Sequence, residues 1–96
     1  MSPINKKKLN LLRVKLDKLD NKLLALIKKR SSLVKEVLKV KFHKKEIIDK
    51  KRINFILKKI KMKSQKLKID PKITNRIWKN MIWSFIDYEK RNFKKK

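Results

Sequence analysis

Cysteine and glycine are both absent from the 96 residues. Without cysteine there is no disulfide framework, no thiolate nucleophile and no sulfur ligand for a metal. Without glycine, and with only two prolines, the chain lacks the turn residues that tight hairpins and sheets require. Carboxylates are scarce: 8 Asp and Glu stand against 32 Lys and Arg, a net charge of +24. Internal pairing therefore leaves most cations without a carboxylate. No apolar run approaches the length of a membrane span, and the polar, lysine-rich start from Met1 to Lys8 has no apolar signal region behind it. The cytoplasm is the default expectation, with no membrane partner. What is present, 41% apolar residues in a chain of one-domain length, suits helices joined by short loops around a thin core.

The longest such stretch runs from Leu9 to Lys41. Leu9, Leu12, Leu16, Leu19, Leu23, Leu26, Ile27, Leu33, Val34, Val37 and Val40 follow the three- and four-residue steps of a helical stripe. Such a helix is roughly 48 Å long, whereas a compact domain of this size has a radius of gyration of about 12 to 13 Å. The remaining residues cannot wrap it. Its stripe calls for a second chain, most simply in a two-fold homodimer of paired long helices.

Three cations share or border that stripe. Arg30 lies four residues after Leu26 and three before Leu33; Lys41 lies four after Val37; Arg13 lies four after Leu9. A desolvated cation costs several kcal/mol unless an anion meets it. One such residue can extend its head to water along the stripe edge. Three together point to an anionic ligand, and Arg30 and Lys41 are expected to be short of acidic partners until it binds.

Residues 1–6 are expected to form a disordered basic arm, and 93–96 a basic tail. Between the helices, His43 to Ile48 reads as a polar loop whose single histidine has no partners for a metal site. Asp49 suits the start of a second helix carrying Ile53, Ile56, Leu57 and Ile60. Asp70-Pro71 marks the start of a third, since Asp caps and Pro tolerates the first helical position. Ile73, Ile77, Trp78, Met81, Ile82, Phe85 and Ile86 form its stripe, and Glu89, four after Phe85 and seven after Ile82, falls on it too. The fold class is all-α: one long and two shorter helices.

The charge invites a nucleic-acid reading, but lysine is spread along every segment, as an AT-rich genome would write it. A non-enzymatic basic helical dimer would explain the charge and leave arginines on an apolar stripe unexplained. Trp78 and Trp83, five residues apart in a helical pattern, are expected in core or interface packing rather than as base-stacking platforms. Nucleic acid is not the expected partner.

These residues together resemble the small all-helical chorismate mutases, over nearly the whole chain from about Leu11 to Glu89. The resemblance is carried by Leu12-Arg13, Leu16-Asp17, Leu19-Asp20, Leu23-Leu24-Ala25-Leu26, Arg30, Leu33-Val34, Val37 and Lys41. It continues through Asp49 and Arg52 three apart, Ile56-Leu57, Asp70-Pro71, Ile77-Trp78 and Met81-Ile82. It makes residues 7–92 the helical domain and implies an intertwined homodimer whose two sites each take one arginine from the partner. Arg13 matches that borrowed residue. Arg13 and Arg30 are roughly 26 Å apart along one helix, too far to hold one small molecule, and two antiparallel copies remove the difficulty.

The resemblance implies chorismate as substrate and no cofactor or metal. Arg13, Arg30 and Arg52 would hold its carboxylates through guanidinium forks. Lys41 would donate to the ether oxygen and a carboxylate, and the Asp49 backbone amide would lie near the ring hydroxyl. Glu89 matches the position that hydrogen-bonds the ether oxygen, and Phe85 would line the site. Lys41, Glu89 and Arg30 carry the expected catalytic roles. Two departures stand out. Ile53 occupies a position that is Glu in many mutases, and Phe85 one that is often Ser, with Ser84 one place out of register. Isochorismate pyruvate-lyases of the same fold also lack that Glu and carry an aromatic residue near the second position, so the lyase reaction, giving salicylate and pyruvate, is the alternative.

Overall fold

The computed structural model describes residues 2–95. Three α-helices are present: α1, Pro3–Val40, α2, Lys50–Lys66, and α3, Pro71–Asn92. No helix among the described residues is long and apolar enough to cross a membrane. The chain divides into two compact units, residues 1–33 and residues 34–96.

The first unit consists of the greater part of α1. Its helix starts earlier than the leucine periodicity suggests. Ser2 caps it, its Oγ accepting the Asn5 backbone N–H at 3.2 Å, and Pro3 takes the first helical position. Residues 3–6, expected as a disordered arm, are therefore helical; Met1 lies outside the described residues. Ser31 and Ser32, indifferent helix formers, return their hydroxyls to the carbonyls of Ile27 and Lys28 at 2.8 and 3.2 Å, and the helix continues past them. No residue of α1 is buried. Leu12, Leu16, Leu19, Leu23 and Leu26 are 53–59% exposed, so the chain itself leaves the leucine stripe uncovered.

The second unit holds the core. α1 ends at Val40, where the Lys41 backbone N–H reaches back to the Leu38 carbonyl at 3.2 Å. The next amide, that of Phe42, donates to Glu46 Oε2 at 3.0 Å. Lys44–Ile47 then forms a single 3₁₀ turn, where a polar loop was expected. Ile47 in that turn is the least exposed apolar residue, at 3%, and packs with Ile82 and Ile86 of α3. Leu38, Ile53, Ile56, Leu57, Trp78 and Phe93 close around them. Phe93, expected in a free basic tail, is thus part of the packing, and Lys96 lies outside the described residues. His43 is exposed, its ring edge-on to Phe42 with centroids 5.4 Å apart.

α2 and α3 form a helical hairpin. Asp49 caps α2 by accepting the Arg52 N–H at 3.0 Å, and Asp70 caps α3 by accepting the Lys72 N–H at 2.9 Å, as their sequence positions indicate. The Ser64 and Thr74 hydroxyls meet at 2.7 Å inside the hairpin, with both residues buried. Trp78 packs on the core, but Trp83 is 51% exposed and takes no part in it. Ile73 and Ile77 also stay exposed, on a flank of α3 turned away from the core.

The end of α2 shows what the missing glycine costs. Ile69 N–H bonds the Ser64 carbonyl at 2.9 Å and Lys68 N–H the Gln65 carbonyl at 3.2 Å, the paired bonds of a Schellman termination. That motif needs a left-handed residue, and Lys68 supplies it at φ 58°, where a side chain costs about 1–2 kcal/mol. Lys68→Gly should therefore stabilise the protein by about 1 kcal/mol and raise its melting temperature by about 4–8 °C. A calorimetric scan showing an unchanged or lower midpoint would contradict this assignment.

Candidate functional site

Lys41 is the first residue beyond α1, on backbone held by the Leu38 carbonyl behind it and the Glu46 carboxylate ahead. Glu89 lies near the end of α3, on the face that also carries Ile82, Phe85 and Ile86. The two side chains meet. Lys41 Nζ stands 3.1 Å from Glu89 Oε1 and 3.3 Å from Oε2, with the side chains 18% and 6% exposed. Sequence spacing places each charge on an apolar stripe separately; the fold makes each the answer to the other's desolvation. Lys41 is accordingly not the unpartnered cation that its stripe position suggests.

This pair has a definite chemical capacity. An ammonium has three N–H donors, and two are directed at the Glu89 oxygens, which leaves a third for a ligand. An oxygen placed against the pair can thus take a charge-assisted hydrogen bond from Lys41. It would also face Glu89, which donates only when protonated. Among the described residues no cluster of three or more His, Cys, Asp or Glu side chains is placed to hold a metal ion.

The other expected site residues have different surroundings. Arg13 is exposed on the first unit, and Arg30, in the same unit, is half-buried. Asp49 and Arg52 are joined through the α2 cap. The Arg52 guanidinium lies over the exposed Phe55 ring at 5.4 Å from its centroid. Phe85 is half-buried one turn before Glu89. Ile53, at the position of the missing Glu, packs against the core. Two open cavities border this end of the second unit. One, of about 350 Å³, is lined by Phe42, His43, Lys44, Phe93 and Lys95; the other, of about 390 Å³, lies between α1 and α3 at Leu38 and Tyr88. Lys41 and Glu89 line neither.

Glu46 escaped the sequence reading. Its carboxylate fixes the amide directly after Lys41, and the only signal for it is an acid four residues beyond Phe42 in a segment without helical periodicity.

The chorismate mutase type II family model matches residues 12–90 of the chain. The match covers all but the ends, and the chain belongs to that family. No curated protein and no solved structure matches it.

Removing one member of a buried pair strands the other, typically at about 3–5 kcal/mol. Lys41→Met should therefore lower thermal stability, and Lys41→Met combined with Glu89→Leu should recover much of the loss. A single substitution that leaves the melting temperature unchanged, or a double substitution no better than the single, would contradict the pairing.

Proposed function

We propose that the protein is a chorismate mutase, converting chorismate to prephenate in aromatic amino-acid biosynthesis, and that it acts as an intertwined homodimer with shared sites. The observation that carries this reading is the part-buried Lys41–Glu89 pair, at the two positions that the resemblance assigns to the ether oxygen, within a family match over residues 12–90. The half-exposed leucines of α1 support the dimer, because a stripe of that size left in water favours association.

In this reaction the ether C–O bond breaks and a new C–C bond forms within one molecule, through a chair-like arrangement with C–O cleavage ahead. No nucleophile, base or electron carrier takes part. Arg30 and Arg52 of one chain and Arg13 of its partner would fix the two carboxylates, removing entropy from the barrier. The Asp49 backbone amide would orient the ring hydroxyl, and Phe85 would pack against the substrate. Lys41 would donate to the ether oxygen as negative charge grows there, an interaction stronger in the transition state than in the ground state. A substrate carboxylate arriving at Lys41 competes with Glu89 for the ammonium. Glu89 then stands beside the same oxygen, where a protonated carboxyl would donate a second hydrogen bond.

The second reading is isochorismate pyruvate-lyase, favoured by Ile53 and Phe85. Supplying chorismate and isochorismate separately and identifying the products tests both. Prephenate from chorismate is expected; salicylate and pyruvate from isochorismate, with chorismate untouched, would establish the lyase instead. Glu89 has its own signature. Glu89→Gln keeps a side-chain donor and should retain turnover, whereas Glu89→Leu should lose most of it. Wild-type turnover in Glu89→Leu would remove Glu89 from the mechanism.

A further inference from the structure

The cations are not spread evenly over the folded chain. α2 carries eight Lys and Arg in its 17 residues and no carboxylate. α3 has five in 22 with Asp87 and Glu89 among them, and α1 interleaves its cations with Asp17, Asp20 and Glu36. A compositional bias alone would load the three helices alike. Among the described residues no cation of α2 is paired with a carboxylate, whereas Lys41 pairs with Glu89 and Arg91 with Asp87.

The fold determines which side of α2 faces water. Ile53, Ile56 and Leu57 turn to the core, leaving Lys51, Lys58, Lys59 and Lys66 exposed on the other side. Phe55 lies in the middle of that side, 53% exposed, with the Arg52 guanidinium 5.4 Å and the Lys59 ammonium 5.6 Å from its ring centroid. We propose that this face is a docking surface for single-stranded nucleic acid, with the lysines on backbone phosphates and the Phe55 ring stacking a base. Both halves of that recognition are present: a cationic track for the backbone and an exposed aromatic ring, against which a base can stack by displacing the flexible Arg52 or Lys59 side chain. A lipid surface is the poorer fit. A helix lying on a membrane needs a continuous apolar face, and the apolar face of α2 is spent on the core, leaving only Phe55 and Met62 outward.

The test is fluorescence anisotropy of a labelled oligouridylate between 50 and 200 mM KCl, with the full chain and two charge-matched triple variants. Lys51→Gln, Lys58→Gln and Lys66→Gln alter the α2 face. Lys15→Gln, Lys18→Gln and Lys22→Gln remove the same charge from α1. None of the six belongs to the proposed active site, so mutase activity and helical content verify that both variants are folded. Three lost phosphate contacts should reduce the slope of log affinity against log salt by about 2 for the α2 variant and much less for the α1 variant. Phe55→Leu, with all charge retained, should weaken binding about fivefold or more. Equal slopes for the two triples would reduce the binding to net charge and overturn the proposal. Wild-type affinity in Phe55→Leu, no binding by the wild type, or a preference for phosphatidylserine vesicles over the oligonucleotide would also overturn it.

Discussion

A buried carboxylate and a half-buried ammonium held together, Glu89 against Lys41, are the interaction around which the second unit is arranged. With 8 acidic residues in the whole chain, a buried one on an apolar stripe is a considerable commitment. Replacing such a pair with apolar residues is often neutral or stabilising, so stability alone is a weak reason to retain it. A function is the better reason, and the surroundings agree. The 3₁₀ turn drives Ile47 into the core, and Glu46 holds the amide after Lys41, so the base of the lysine is fixed from both sides. α3 delivers Glu89 from the same helical face that supplies Ile82 and Ile86.

The first unit depends on a different constraint. No residue of its helix is buried, and Leu12, Leu16, Leu19, Leu23 and Leu26 remain more than half exposed. Arg13 and Arg30 stand on that helix about 26 Å apart. A second copy would resolve both difficulties, covering the leucines and bringing one arginine of each chain to the other's site. The same economy would explain why a chain of 96 residues need not contain a large core of its own.

Much of this was legible in the sequence, because its carriers are local. Asp49 and Asp70-Pro71 announce helix starts through backbone amides two or three residues away, and both caps form. Family membership rests on residues in fixed register along continuous helices, which periodicity preserves. Where the outcome departs from the reading, the cause is a short or non-local effect. Ser2-Pro3 carries the same signal as Asp70-Pro71, but the lysines behind it read as a charged arm. Ile47 lies in a turn of four residues, too short for any period. Lys68 adopts positive φ in a chain with no glycine to mark the spot. The direct bond between Lys41 and Glu89 spans 48 residues; each charge is visible on its stripe, but only tertiary packing shows that the two meet before any ligand arrives. Arg52 on the Phe55 ring is of the same kind.

The measurement that bears most directly on the proposed enzyme is complementation between two inactive variants. Arg13→Ala and Arg30→Ala should each be nearly inactive towards chorismate. Unfolded together in equal amounts and refolded, half of the dimers are mixed, and each mixed dimer has one site with both arginines. About a quarter of wild-type activity should return. A mixture as inactive as its components, with mixed dimers verified by mass spectrometry, would contradict a site shared between two chains.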